Sequence, residues 1–251
     1  MSQAKISIRG LDTWYGDLQV LRGVDLDIPA RSLFTVMGPT GSGKTTLMRT
    51  INRLNDMIKG FRASGSVLVD RQDVYAPEVD VPSLRRKVGM VFAATTPLPL
   101  SIYDNVAYGP RVKGVPDAQT SEVVEKCLRD ALLWDEVGSR LHDPASRLSG
   151  GQQQRLSLAR VLALEPEIIL LDEPASGLDP VSTARLEDLM RRLSKSYTVV
   201  LVTHNPLQAA RVGQLTAFLF MGKIVEIGPT SKLFTSPQDK RTEDYVLGRF
   251  G

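Results

Sequence analysis

The eight residues Gly38-Pro39-Thr40-Gly41-Ser42-Gly43-Lys44-Thr45 fit the pattern GxxxxGK[ST] in full. They stand between a short apolar run, 32–37, and a stretch, 45–54, that reads as a helix. A strand, a glycine-rich turn and a helix in that order constrain the fold more than any other feature of the chain. The glycines let backbone N–H groups turn inward around an anion where side chains would obstruct them. The helix that starts near Lys44 points its positive end at the same place. The pattern therefore predicts a polyphosphate ligand, cradled by Gly38 to Thr46, with Lys44 on the β and γ oxygens and the Thr45 hydroxyl on Mg²⁺.

Two further signals lie downstream. The run Ile168-Ile169-Leu170-Leu171-Asp172-Glu173 reads as a buried strand ending in two carboxylates at the sheet edge where ligands bind in open α/β sheets. Asp172 is placed to hold Mg²⁺ or its water shell, and Glu173 to polarise an attacking water as general base. Asp172 also reads as a helix cap. His204 follows the strand 198–203 and is expected near the γ-phosphate, whereas His142 reads as a surface loop residue. The second signal is Leu148-Ser149-Gly150-Gly151-Gln152, a hydroxyl and two glycines just before a helix read over 152–164. It is a second anion-binding helix start without a lysine, although Ser149 is also an ordinary cap. One chain cannot easily bring two such starts onto a single γ-phosphate. Two copies facing head to tail can, with two ATP molecules between them.

The rest of the chain supplies the frame. Residues 5–10 and 18–28 alternate apolar and polar residues, as half-buried antiparallel strands do. Strand-like runs recur at 65–69, 88–92, 168–171, 198–203 and 217–221, with a helix read over 180–194. This alternation predicts an α/β fold with a mostly parallel sheet, and the helical stretch from 102 to about 163 reads as an insertion. The 251 residues suit one large domain with a smaller subdomain inside it. A net charge of +3 is compatible with a polyphosphate but too weak for a nucleic-acid partner. The clusters Arg85-Arg86-Lys87 and Arg191-Arg192 are expected to be solvated faces. The single cysteine, Cys127, reads as a small core residue. No apolar run approaches the ~20 residues needed to cross a bilayer, so any membrane spans are expected from other chains.

Together these motifs resemble the nucleotide-binding subunit of ABC transporters along the whole chain. The resemblance implies a P-loop NTPase (RecA-like) core with an antiparallel β subdomain and an inserted α-helical subdomain. It places the core at about 1–92 and 164–251 and the helical subdomain, carrying the signature run, at about 93–163. It implies that Tyr15 stacks on adenine, although Tyr15 also reads as an edge-strand packing residue. It further implies that Asp179, in Ser176-Gly177-Leu178-Asp179, communicates between two sites, and that His204 is the switch histidine. Ser149, Gly150, Gly151 and Gln152 would close the site of a second copy. The implied cofactors are ATP and Mg²⁺. The implied partners are a second copy of the chain, two integral membrane permease subunits and, indirectly, an extracytoplasmic phosphate-binding protein, at the cytoplasmic face of the membrane.

The segments 52–56 (Asn-Arg-Leu-Asn-Asp), 101–109 and 242–251 are similar to the phosphate-importing, Pst-type branch. They carry no chemistry of their own, so phosphate as the cargo is an implication of resemblance, with molybdate or tungstate open on motif chemistry. One position departs from the family: the glutamine that follows the strand 88–92 is replaced by Ala93, followed by Ala94-Thr95-Thr96. Alanine offers no oxygen to a metal or a water. A slow, ATP-gated regulatory subunit is therefore a second reading. A soluble ABC ATPase of DNA repair or translation is a third, disfavoured because such chains usually carry two nucleotide domains or a long coiled-coil insertion.

Overall fold

Short apolar runs buried on both faces build the centre of the molecule. The computed structural model describes residues 4–94 and 96–249. Thr95, in the departing stretch, and Phe250 and Gly251, which end the last branch-like segment, lie outside the described residues. The chain opens with β1 (Ala4–Tyr15), β2 (Leu18–Pro29) and β3 (Leu33–Met37), followed by α1 (Lys44–Ile51), β4 (Phe61–Val69) and β5 (Gln72–Asp73). Next come α2 (Val81–Lys87), β6 (Val88–Val91), α3 (Ile102–Val112), α4 (Asp117–Asp130), α5 (Trp134–Val137) and α6 (Gly150–Leu162). The last part runs β7 (Ile168–Asp172), α7 (Pro180–Leu193), β8 (Thr198–Thr203), α8 (Pro206–Val212), β9 (Leu215–Phe220), β10 (Lys223–Pro229), α9 (Thr230–Thr235) and α10 (Lys240–Val246).

Two sheets result. One is antiparallel, ordered β2-β1-β4-β5; the other is mixed, ordered β10-β9-β3-β8-β7-β6. Strands β9, β3, β8, β7 and β6 pair parallel, and β10 closes the edge antiparallel to β9. The two-residue period of a strand divides its side chains between two cores. Ile168 and Leu170 of β7, with Val200 and Val202 of β8, face the antiparallel sheet. Ile169, Leu171, Val199 and Leu201 face α3, α4, α6 and α7. Strands buried on both sides read as continuous apolar runs, which is why 168–171 and 198–203 were legible without alternation.

Several elements differ from the sequence expectation. β1 does not stop at Gly10 but continues to Tyr15, with register shifts against β2 and β4 where Gly10 takes a positive φ of 54°. β10, α2 and α8 to α10 were not anticipated. The cluster at 85–87 is not simply a solvated face. Arg85 is half-buried and donates to the carbonyls of Asn52 (3.3 Å) and Arg53 (2.8 Å), pinning the turn after α1. Arg191 and Arg192 are exposed as expected, and Cys127 is buried in the helical core. Burial pushes the Cys127 thiol up to about 12, so it stays protonated and unreactive. His142 is exposed.

Candidate active site

Residues from three strand ends converge at the C-terminal edge of the mixed sheet. The phosphate loop leaves β3 at Gly38, the carboxylates end β7, and His204 follows β8. β3 pairs with β8 and β8 with β7, with Met37 opposite Thr203 and Asp172 opposite Val202. Parallel pairing in that register brings three loops side by side, and the motifs, far apart in sequence, form one site.

Within the loop, Gly43 takes a left-handed conformation (φ 103°) at the cap of α1, where a side chain would also strike Leu21. Gly38 is constrained differently. A Cβ there would lie 2.1 Å from the Leu219 carbonyl oxygen, so this glycine permits close packing of the loop on β9. The Lys44 ammonium is 5% exposed and donates to the carbonyls of Gly38 and Pro39, each at 2.8 Å. Burial holds its pKa below the ordinary value, opposed by the nearby charges of Glu173 and Asp172. Thr40, Gly41, Gly43, Lys44, Thr45 and Thr46 line a cavity of about 230 Å³ together with Val20 and Glu173. The buried Ser42 hydroxyl has no protein partner, as suits an oxygen in a loop built around a ligand.

Thr45 Oγ1 donates to Asp172 Oδ1 at 2.9 Å. Burial raises the Asp172 pKa above the usual carboxylate range, while the Thr45 hydrogen bond and Arg49 oppose the shift. A hydroxyl and a carboxylate in contact beside the glycine-rich loop suit a hard divalent cation such as Mg²⁺, which Thr45 and Asp172 would hold and which would take further oxygen ligands from phosphate and water. Among the described residues, no group of three or more His, Cys, Asp or Glu side chains is placed to hold a metal without such a ligand.

Glu173 sits in a left-handed conformation (φ 48°), its amide bonded to the Val202 carbonyl at 2.9 Å. One carboxylate oxygen hydrogen-bonds His204 Nδ1, and the other lies 3.9 Å from the Lys44 ammonium. Glu173 and His204 thus form a pair, a contact the sequence did not reveal. Together with Ser176, Gly177, Thr203 and Asn205 they border a second, polar cavity of about 270 Å³. Asp179 caps α7, accepting from the amides of Val181 and Ser182 at 2.9 Å; the Ser182 hydroxyl first, and then these amides, hold its carboxyl below the usual range.

Tyr15 is half-buried at the end of β1, 5.4 Å from the Phe61 ring. Its hydroxyl donates to Asn55 Oδ1 at 2.9 Å and lies 3.5 Å from Thr46 Oγ1, beside the phosphate loop helix. Asn55, fully buried, also donates to the Thr46 carbonyl and to Thr50, which gives the segment 52–56 a supporting role that motif reading missed.

The signature run is elsewhere. Ser149 caps α6 through a reciprocal pair with Gln152: Gln152 N donates to Ser149 Oγ (3.4 Å) and Ser149 N to Gln152 Oε1 (3.0 Å). Gln152 also donates to Glu136 at 2.9 Å, and Gly151 packs so tightly on Ser182 that a Cβ would sit 2.6 Å from its hydroxyl. Ser149 and Gly150 are exposed, and none of 149–152 lines the phosphate cavity. Glu136 organises this end: it accepts from Arg155 (2.8 and 3.0 Å), Arg185 (2.9 Å) and Gln152. No motif marks Glu136; only its contacts reveal it.

Comparison with known proteins agrees with this geometry. A family model described as ABC transporter matches residues 21–176, more than half of the chain. The fold is similar to that of cbiO1 from Clostridium perfringens, described as part of the ABC transporter complex cbiONQ, at 24% identity and a TM-score of 0.83. That match covers 99% of this chain and 97% of that one. It is also similar to a bacterial Atm1-family ABC exporter solved with ATP bound, at 24% identity and a TM-score of 0.81, covering 100% of this chain and 43% of the exporter.

Proposed function

The chain belongs to the ABC transporter family as an ATP-binding domain, and from that premise we propose that it powers uptake of inorganic phosphate through partner membrane subunits. The observation that carries the catalytic part is the convergence of Lys44, Thr45, Asp172, Glu173 and His204 on one sheet edge. In this reading the loop amides and Lys44 hold the phosphates, and Thr45 and Asp172 hold Mg²⁺. The metal supplies charge neutralisation at the β and γ oxygens. Glu173 takes a proton from the water that attacks the γ-phosphorus, the bond to the β–γ bridging oxygen breaks, and ADP and phosphate leave. His204 orients Glu173 from one side while Lys44 fixes it from the other. Tyr15 offers its ring to the adenine.

The remaining parts need other chains. Ser149 and Gly150 are exposed at the start of α6, with Gly151 buried behind them against Ser182, away from the phosphate cavity of their own chain, which supports a head-to-tail pair in which each copy completes the other's site. ATP then favours closure and hydrolysis reopening, and the membrane subunits follow. No helix among the described residues is long and apolar enough to cross a membrane, and cbiO1 is itself one part of a larger complex. An apolar groove of about 630 Å³ between the sheet core and the helical elements, with Phe92, Tyr108 and Val112 exposed on it, is suited to a segment of such a partner. Phosphate as the cargo rests on the similarity of 52–56, 101–109 and 242–251 to the phosphate-importing branch.

Glu173→Gln is expected to bind ATP with little change and to lose hydrolysis by roughly 10²-fold or more, read as single-turnover release of phosphate. Normal turnover in that variant sinks the base assignment. The cargo is tested separately. Cells lacking the chain should lose radiolabelled phosphate uptake and regain it with the natural chain but not with Glu173→Gln; loss of molybdate uptake instead would reassign the cargo. Ala93 favours one second reading, an attenuated subunit that gates with ATP and hydrolyses slowly, because the loop after β6 has no side-chain carboxamide at that position.

A further inference from the structure

The backbone of the switch histidine is held by a helix from the far end of the chain. Tyr245, on α10, is 7% exposed and stacks on Phe218 of β9, with ring centroids 4.9 Å apart and planes at 22°. Its hydroxyl donates to the His204 carbonyl oxygen at 2.6 Å. The Gly38 amide lies against the same phenol oxygen. Burial and then the nearby Glu173 charge push the phenol up to about 12, so the hydroxyl remains a donor at any pH at which the protein works. Gly38 and His204 are the first residues beyond β3 and β8, which are hydrogen-bonded neighbours. One hydroxyl therefore touches the exits of two adjacent strands, one carrying the phosphate loop and the other the histidine that meets Glu173.

The anchor behind that hydroxyl is firm. Tyr245 belongs to a buried cluster with Met37, Ala209, Phe218 and Leu233, and Thr242, one turn earlier on α10, is fully buried. Asp239 caps the helix by accepting from the Arg241 amide at 2.8 Å. By contrast, the His204 side chain is 52% exposed and hydrogen-bonds Glu173. The histidine's position is thus set largely through its backbone.

We propose that Tyr245 is a positioning residue for hydrolysis: its hydroxyl fixes the His204 peptide relative to Gly38 and so sets where the imidazole meets Glu173. This rests on the reading above that Glu173 and His204 serve the chemistry. The residue acts through another group and touches neither water nor nucleotide itself.

Tyr245→Phe removes the hydroxyl and keeps the stacked ring. In the full chain, single-turnover hydrolysis with protein in excess over ATP should slow about tenfold, as expected for losing one orienting hydrogen bond. The KM for ATP should stay within about twofold, and the melting temperature within about 4 °C, the effect of one buried hydrogen bond in a chain of this size. An unchanged single-turnover rate overturns the proposal. So does a rate loss accompanied by a comparable rise in KM or a larger fall in melting temperature, which would mark a packing residue. Glu173→Gln, measured alongside, separates the two claims. If Glu173→Gln turns over normally, the catalytic reading falls; if it is inert while Tyr245→Phe is unaffected, only the positioning role falls.

Discussion

Phe92, exposed at the end of β6, hands the chain to Ala93 at the height of Glu173, since Val91 pairs with Leu171 one strand away. Residue 93 is exposed just beyond the strand, and a methyl group there can orient neither a water nor a cation. Ala93→Gln is expected to raise single-turnover hydrolysis by roughly 10²-fold, the lower end of the effect of one electrostatic contact. An unchanged rate would show that the site manages without that contact and would remove the case for an attenuated subunit. Around this position the sequence was most readable where chemistry demands a residue type. Lys44, Thr45 and Asp172 announce themselves because few other side chains can grip a phosphate or a hard cation. Tyr245 and Glu136 were not readable, because a tyrosine hydroxyl or a carboxylate that orients a neighbour depends on where the fold places it.

Among the elements, α6 shows how the start of a helix is held. The carboxylate of Glu136, on the single-turn helix α5, gathers Arg155, Gln152 and Arg185, and so ties the signature run both to the helical insertion and to α7 behind Asp179. The Arg155 hydrogen bond is the main cause holding the Glu136 pKa below its ordinary 4.5, against the cost of burial. Its sign fixes a pH window. A depressed carboxylate stabilises the fold fully above its unfolded value and loses that contribution as the pH falls towards and through the folded one. Glu136→Gln should accordingly cost about 2 kcal/mol near neutrality, since it leaves the buried Arg155 guanidinium short of charge. The gap between the two urea midpoints should close as the pH is lowered below 4.5. A gap that stays constant down to that range would show that packing, not the ion pair, is what the substitution disturbs.

At the scale of the whole molecule, the two glycine-bearing helix starts point to separate places, α1 to its own cavity and α6 to the surface. The proposed head-to-tail pair rests on that separation and is testable without the membrane partners. Glu173→Gln with ATP should sediment as a dimer and without ATP as a monomer, and adding Ser149→Arg should abolish the dimer while leaving ATP binding to the monomer intact. A Ser149→Arg chain that still dimerises with ATP would place the contact elsewhere. The sequence by itself determined the phosphate loop, the buried strands and the acidic strand end, because glycine geometry, strand burial and cation chemistry each demand particular residues at local spacings. It left the edge strand β10, the continuation of β1 past Gly10 and the helices after β8 unread, since those form where neighbouring surfaces accept them. Only the tertiary structure decided that Glu173 meets His204, that Glu136 organises the signature end, and that Tyr245 reaches back to the site, because parallel strand register and side-chain packing join residues that no local pattern connects.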